Sequence, residues 1–277
     1  MSDIQTNISG KDAPHADKGL GEVILRTEGL TKHYGGVHAL VDCNFEIRKG
    51  EHVAIMGDNG AGKSTFVRQI TAVEKRTAGK VWFNGEYVEF AGPLEAREAG
   101  IETVFQTLAL ADHLDVPDNL FLGREKILFN LGPFSILDYK GMREATIAGL
   151  KKTGVKIPNI SNTIQNMSGG QRQCVAIART ATFHSKLTIM DEPTAALGVQ
   201  ETAQVEEIIR GLKARGIPMI LISHNLRQVF DLVDRIIVFR RGRIAATLNA
   251  KEVDGNEVVA YITGVKGAEA RGTRAFA

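Results

Sequence analysis

The sequence is poor in cysteine and has no long apolar run. Cys43 and Cys174 lie far apart, without the spacing of a disulfide framework or a cysteine metal site, which is typical of a cytosolic protein with reduced thiols. The longest apolar runs, such as residues 217–222, fall far short of the ~20 residues that a membrane-spanning helix needs. The first residues lack an apolar secretory core, so we expect no signal peptide.

No charge of one sign dominates the sequence. Lys and Arg together number 34 against 32 for Asp and Glu, a net charge of +2, so we expect no nucleic-acid partner and no binding to an anionic membrane through bulk charge. The 277 residues suffice for a substantial core in one large domain or two small ones. Together with the apolar strand-like runs below, these values predict a soluble cytoplasmic α/β protein.

One glycine-rich stretch, residues 57–65, stands between an apolar strand at 52–56 and a helix at 66–70, and we call it the phosphate loop. It consists of Gly57, Asp58, Asn59, Gly60, Ala61, Gly62, Lys63, Ser64 and Thr65. This order predicts a cradle of backbone amides for phosphate, with Lys63 at the β- and γ-phosphates and Ser64 at one Mg²⁺ position. The alternative, a glycine turn without a ligand, does not explain the Lys-Ser ending.

Four further polar residues follow predicted strands. Asp191 and Glu192 end the apolar run that starts at residue 187; Asp191 suits Mg²⁺ through its water shell, and Glu192 suits polarisation of an attacking water. The alternative for this pair is an acidic turn. Gln106 and His224 would each alone be ordinary loop residues, but beside the phosphate loop they become candidate contacts to the γ-phosphate, metal or water.

Tyr34 lies between flexible positions, shortly before the phosphate loop. We interpret it as a platform for adenine stacking, and the alternative is a surface aromatic residue.

The chain divides into a disordered leader (1–20), a folded region (21–265) and a loose tail (266–277). The predicted strands cover residues 23–27, 38–47, 52–56, 80–83, 87–90, 101–105, 187–193, 219–223, 235–239 and 243–246. The predicted helices cover residues 66–70, 93–99, 116–122, 139–153, about 167–182 and 199–215. Residues of about 107–165, with a break at Gly132-Pro133, are predicted to form a helical subdomain without strands.

Ser168, Gly169, Gly170 and Gln171 stand shortly before Asp191 and Glu192, and we call them the signature. The order of phosphate loop, Gln106, signature, Asp191-Glu192 and His224 resembles the ATPase subunits of ATP-binding cassette (ABC) transporters over about residues 22–265. The resemblance implies an α/β fold, namely a P-loop NTPase domain of the ABC type with an antiparallel β subdomain and an inserted helical subdomain.

The resemblance also implies a function for each candidate residue. Tyr34 would stack on adenine, Gln106 would link Mg²⁺ to the membrane partner, and His224 would be the switch histidine. Glu192 would be the general base, and the signature would grip the γ-phosphate of ATP bound to the opposite cassette. The family commonly has Asp where this chain has Gly198, so we assign no function to that position.

Within this family, residues 57–63, 105–110 and 193–198 resemble the ATPase subunits of sugar importers of the fructose, ribose and xylose type. Among these, the chain resembles the short form with a single cassette, as in fructose importers. This implies ATP and Mg²⁺ as cofactors, a head-to-tail dimer with a second copy of the chain, membrane permease subunits and, indirectly, a periplasmic sugar-binding protein. It also implies a peripheral position on the cytoplasmic face of the inner membrane, and ATP hydrolysis coupled to monosaccharide uptake.

Two other classes remain open at this point. Non-transport ABC ATPases, acting in DNA repair or on ribosomes, usually carry two cassettes, coiled-coil insertions or basic extensions, none of which is visible here. A P-loop kinase acting on a small molecule explains neither the signature nor the adjacent pair Asp191-Glu192.

Overall fold

A computed structural model of the chain describes residues 21–129, 135–183 and 185–267. The predicted leader, the tail beyond residue 267 and the predicted break at Gly132-Pro133 lie outside these ranges. Within them, no helix combines the length and the apolar character needed to cross a membrane.

The described residues form twelve strands and eight α-helices. The strands are β1 (Val23–Tyr34), β2 (Val37–Arg48), β3 (His52–Met56), β4 (Ala78–Phe83), β5 (Glu86–Tyr87), β6 (Ile101–Val104), β7 (Ile127–Phe129), β8 (Ile136–Leu137), β9 (Leu187–Asp191), β10 (Met219–Ile222), β11 (Arg235–Arg240) and β12 (Arg243–Asn249). The helices are α1 (Lys63–Ile70), α2 (Pro93–Ala99), α3 (Val116–Phe121), α4 (Tyr139–Thr153), α5 (Gly169–Thr182), α6 (Val199–Ala214), α7 (Leu226–Leu232) and α8 (Gly255–Thr263).

The central sheet has six strands in the order β12-β11-β3-β10-β9-β6, and all neighbours are parallel except β11 and β12. Alternate residues of β3 enter different cores. Val53 and Ile55 pack with Phe66 of α1, whereas Ala54 and Met56 pack in the core that includes residues of α5 and α6. Because the sheet is covered on both faces, its central strands β3, β10 and β11 are nearly continuous apolar runs.

A second sheet is antiparallel, in the order β2-β1-β4-β5. The predicted hairpin is present, with Trp82 opposite Tyr87 and Phe83 opposite Glu86. Asn84 and Gly85 connect its strands, and both have positive φ, 51° and 80°. Two successive left-handed residues are typical of the tight turn that an Asn-Gly pair favours.

The segment predicted as a helical subdomain contains α3 and α4 at nearly the predicted bounds, packed with α5 around a core of Val116, Leu120, Met142 and Val175. The prediction that this segment lacks strands is wrong, because β7 and β8 pair as a short antiparallel hairpin. Strands of two or three residues are too short to show a periodic pattern. The limits of the subdomain, about 107–165, stay a prediction.

The predicted set of helices is incomplete. Helices α7 and α8 were not predicted, although Asn225 and Asp254 cap their first turns by accepting hydrogen bonds from the amides of Gln228 and Glu257. Helix α6 begins at Val199 as predicted, but Val199 itself is 89% exposed, because it is the first residue of the helix and precedes the packed turns.

Candidate nucleotide-binding site

Four adjacent parallel strands end at the same edge of the central sheet. In spatial order, β10 lies between β3 and β9, and β6 follows β9. The phosphate loop follows β3, His224 follows β10, Asp191 ends β9 with Glu192 next to it, and Gln106 follows β6. Ligands of open α/β sheets bind at this edge, so the topology brings together candidate residues that are far apart in the sequence.

These residues line a common cleft of about 550 Å³, which we call the nucleotide cleft. Its lining consists of Ala39, Asn59, Gly60, Gly62, Lys63, Ser64, Thr65, Gln106, Asp191, Glu192, Ala195, Ile222 and His224. Asp58 lines a smaller neighbouring recess with Asn59 and His224. Gly57, Ala61, Tyr34 and the four signature residues, all within the described part of the chain, do not line the nucleotide cleft.

Two glycines of the phosphate loop lie where a side chain could not fit. Gly57 has φ 151°, and a Cβ there would stand 2.2 Å from the carbonyl oxygen of Phe239. Gly62 has φ 107°, and its Cβ would stand 2.8 Å from the carbonyl oxygen of Ala39. Gly62 caps α1 without a side-chain hydrogen bond, so the amides of the first turn keep their capacity to bind an anion.

The Lys63 ammonium is buried within the loop, where it donates hydrogen bonds to the carbonyl oxygens of Gly57 at 2.6 Å and Asp58 at 2.9 Å. Burial lowers the pKa of Lys63, and the negative charges of Glu192 and Asp191 oppose that shift. The loop therefore holds a preorganised positive charge among backbone oxygens, next to the start of α1.

Asp191 and Glu192 carry the negative charge of the cleft. Burial raises the pKa of both carboxyl groups, and the charges of Lys63 and His224 oppose the shift. Glu192 Oε1 lies 2.9 Å from His224 Nε2 but has no partner in hydrogen-bond geometry among the described residues. A buried carboxylate oxygen with a free acceptor position and an elevated pKa suits the acceptance of a proton from water.

Gln106 is exposed at the mouth of the cleft. The segment after it is tied to the helix that the signature opens, because Arg179 of α5 donates hydrogen bonds to the carbonyl oxygens of Ala109 at 3.0 Å and Leu108 at 3.4 Å. Leu108 and Ala109 both have φ 48°, a left-handed conformation. The sequence offered no local pattern from which to find this contact between α5 and the Gln106 segment.

Tyr34 ends β1 and is 42% exposed. Its hydroxyl donates to the Glu74 carboxylate and interacts with the Thr65 side chain of the phosphate loop. The ammonium of Lys32 lies 4.9 Å from the centre of its ring. The ring is thus held beside the loop rather than inside the nucleotide cleft, and stacking on adenine stays a prediction.

The signature begins α5 as a reciprocal cap. The backbone N–H of Gln171 donates to Ser168 Oγ at 3.2 Å, and the backbone N–H of Ser168 donates to Gln171 Oε1 at 3.0 Å. Ser168 and Gly169 are exposed. Ser168 Oγ also donates to Glu201 Oε1 of α6 at 3.3 Å, a contact that the sequence analysis missed.

Gly198, where the family commonly has Asp, is the cap of α6. Its amide donates to Glu201 Oε2 at 2.9 Å. The carboxylate next to the signature in this chain is therefore Glu201, three residues further along.

A mixed α/β fold with a phosphate loop at the carboxyl edge of a parallel sheet defines a P-loop nucleotide-binding protein. The family model of the ABC transporter matches residues 40–195. The chain is 45% identical over 248 residues to the fructose import ATP-binding protein FrcA of Rhizobium meliloti, covering 88% of this chain and 95% of that protein. It is 41% identical over 243 residues to the xylose/arabinose import ATP-binding protein XylG of Sulfolobus acidocaldarius, covering 87% and 94%.

Among solved structures, cbiO1 from Clostridium perfringens, part of the ABC transporter complex cbiONQ, superposes with a TM-score of 0.71 at 28% identity, covering 88% of this chain and 95% of that one. This chain belongs to the ABC transporter family, whose ATPase domain binds ATP. The predicted fold class is confirmed.

Proposed function

We propose that this chain is the ATP-hydrolysing subunit of an ABC importer that takes up a monosaccharide. The observation that carries the proposal is the convergence of Lys63, Ser64, Asp191, Glu192 and His224 on one cleft, while the signature lies outside that cleft with Ser168 and Gly169 exposed. Its relatives FrcA and XylG are named for fructose import and for xylose/arabinose import. These names favour a sugar importer over a non-transport ABC ATPase.

A complete site then needs two chains. The phosphate loop of one chain binds ATP, and the signature of a second copy contacts the γ-phosphate, which gives a head-to-tail dimer. ATP holds the two faces together, and loss of the γ-phosphate on hydrolysis removes the differential affinity that stabilised the closed state. Tyr34 stacks on adenine at the edge of the same site.

The residues present fit Mg²⁺. Ser64, Gln106 and Asp191 bring oxygen ligands to the cleft that receives the phosphates, and Mg²⁺ prefers a few protein oxygens, water and phosphate to an all-protein cage. When bound, the ion neutralises charge that develops on the phosphates.

Glu192 acts as the general base. Its free Oε1 accepts a proton from the water that attacks the γ-phosphate, and the elevated pKa that burial gives this carboxylate makes it a stronger base than an exposed glutamate. His224, which follows the neighbouring strand and has its Nε2 2.9 Å from Glu192 Oε1, positions that carboxylate and contacts the γ-phosphate. Catalysis is thus by positioning and electrostatics.

The helical subdomain and the Gln106 segment transmit the opening and closing of the dimer to the permease in the membrane. Arg179 links this segment to α5, so the signature and Gln106 move as connected parts. We assign permease subunits as the direct partners on the cytoplasmic face of the membrane, and a periplasmic sugar-binding protein as the indirect one.

A deletion strain tests the proposal on fructose, ribose and xylose, each as the sole carbon source. Growth should fail on at least one of these sugars, and the wild-type chain should restore it where Glu192→Gln does not. The purified chain should release phosphate from ATP only when Mg²⁺ is supplied. Unimpaired growth on all three sugars would contradict the sugar assignment, and retained growth with Glu192→Gln would contradict the use of hydrolysis.

A further inference from the structure

A carboxylate of the same chain occupies the hydrogen-bond donors of the signature. Glu201 Oε1 accepts a hydrogen bond from Ser168 Oγ at 3.3 Å, and the Gly170 backbone amide interacts with the same carboxylate closely enough to lower its pKa. Its second oxygen, Oε2, accepts from the Gly198 amide at 2.9 Å. One anion therefore bridges the N-terminal ends of α5 and α6.

The packing at this contact is close. A Cβ on Gly170 would stand 2.5 Å from Glu201 Cγ, so the absent side chain of Gly170 is what lets Glu201 reach the signature. The hydrogen bond from the Gly198 amide has the largest effect in lowering the pKa of Glu201, and Ser168 and Gly170 lower this pKa further. The group that lies on the signature is therefore an ionised carboxylate at neutral pH.

A γ-phosphate delivered by the opposite chain needs the same donors, namely Ser168 Oγ and the amide at Gly170. Two anions sharing these donors would repel each other, and the donors cannot satisfy both at full strength. The Glu201 carboxylate has an alternative partner, because the Gly198 amide can hold Oε2 and keep α6 capped while Oε1 leaves the signature.

We propose that Glu201 is a positioning residue that masks the signature in the free chain, and that the γ-phosphate of ATP on the opposite chain displaces it when the dimer closes. The inference rests on the proposed head-to-tail dimer. Closure of the dimer then requires an anion that can compete with the Glu201 carboxylate for the hydrogen-bond donors of the signature. ADP, which lacks the γ-phosphate, leaves the masking contact in place.

The test uses the Glu192→Gln background, in which hydrolysis is blocked and the ATP-bound dimer accumulates. Dimer formation is followed by sedimentation velocity as ATP is raised, for Glu192→Gln alone and for Glu192→Gln with Glu201→Gln. Gln at position 201 keeps the length and an acceptor oxygen for the α6 cap but has no charge. The ATP concentration for half-maximal dimer should fall roughly tenfold, the effect expected when one charge-assisted hydrogen bond is weakened.

Glu207→Gln in the same background is the matched control, because Glu207 is an exposed carboxylate further along α6. Glu207→Gln should leave the ATP concentration for half-maximal dimer unchanged. Glu201→Gln should leave the ATP affinity of the monomer unchanged, measured at protein concentrations too low for dimerisation. Thermal unfolding checks that each variant is folded. A midpoint that stays the same or rises with Glu201→Gln overturns the inference and leaves the proposed function standing. A Glu192→Gln chain that never dimerises overturns both.

Discussion

Glu192 Oε1 lies 2.9 Å from His224 Nε2, yet the two atoms do not meet in hydrogen-bond geometry. Glu192 follows β9 and His224 follows the adjacent strand β10, so the register of the parallel sheet sets their separation. The backbone of Glu192 has φ 51°, a left-handed conformation, and its amide donates to the carbonyl oxygen of Ile222 at 2.9 Å. The backbone thus fixes a carboxylate whose acceptor position is directed into the nucleotide cleft.

Glu192→Gln should lower ATP turnover by about 10² to 10⁴, the usual contribution of a general base. Gln keeps the size of the side chain but cannot take the proton from water. ATP binding should persist, because Lys63, the loop amides, Ser64 and Asp191 are unchanged. Phosphate release measures turnover, and size-exclusion chromatography should show a shift from monomer to dimer with ATP and none with ADP. A variant that hydrolyses ATP briskly and stays monomeric would contradict both assignments.

Lys63→Ala should abolish ATP binding and leave the fold intact. The side chain provides the buried ammonium of the phosphate loop, and among the described residues no other lysine or arginine lines the cleft to replace its charge-assisted bonds to the β- and γ-phosphates. Isothermal titration calorimetry measures affinity, and circular dichroism measures folding. Lys49→Ala, at an exposed lysine ahead of the loop, is the control and should bind ATP normally. Near-normal affinity of Lys63→Ala would refute the assignment of the loop.

The ends of helices α2 and α4 are marked in the sequence by residues that cap or break helices. Helix α2 begins at Pro93 and is capped at its end by Gly100 with φ 110°; α4 is capped by the Asp138 side chain and by Gly154 with φ 72°. Both helices have the predicted bounds, because the first-position proline of α2, the capping Asp138 of α4 and the left-handed glycine at each end are readable from the sequence.

What the sequence could not predict depends on contacts between distant segments. The Glu201 carboxylate meets Ser168 across 33 positions, and no periodicity encodes that distance. Arg179 reaches the Gln106 segment across 70 positions. By contrast, α7 and α8 were predictable, since Asn225 and Asp254 each precede by three residues a Gln or Glu, a spacing that marks helix starts.

Gly170→Asp should preserve ATP binding by the monomer and abolish hydrolysis. The new side chain begins where a Cβ stands 2.5 Å from Glu201 Cγ, so it displaces Glu201 and places its own carboxylate at the signature. That fixed charge would repel the γ-phosphate bound to the opposite chain. Nucleotide titration of the dilute monomer and phosphate release of the concentrated protein separate the two effects. If monomer affinity fell together with the rate, the two-chain site would be wrong.

The stability of the chain should fall as the pH drops from about 6.5 to 4 because of His52, a fully buried residue of β3. His52 Nε2 donates to the carbonyl oxygen of Ile217 at 3.0 Å, and Nδ1 has no partner among the described residues. Burial lowers the pKa of His52 to about 4, below the ~6.5 of an exposed histidine. Between these values the unfolded chain binds a proton that the folded chain does not, so acid favours unfolding.

The pKa difference corresponds to a loss of about 2 kcal/mol in the free energy of unfolding between pH 7 and pH 5. Other groups titrate in this range, so the quantity to compare is the pH dependence of the wild type against that of His52→Gln, which keeps a donor for Ile217 but cannot titrate. Urea unfolding without nucleotide at both pH values measures it. The wild type should lose about 2 kcal/mol more than His52→Gln. Equal losses in the two proteins would mean that His52 takes up its proton without unfolding, against the burial that its position in the central sheet imposes.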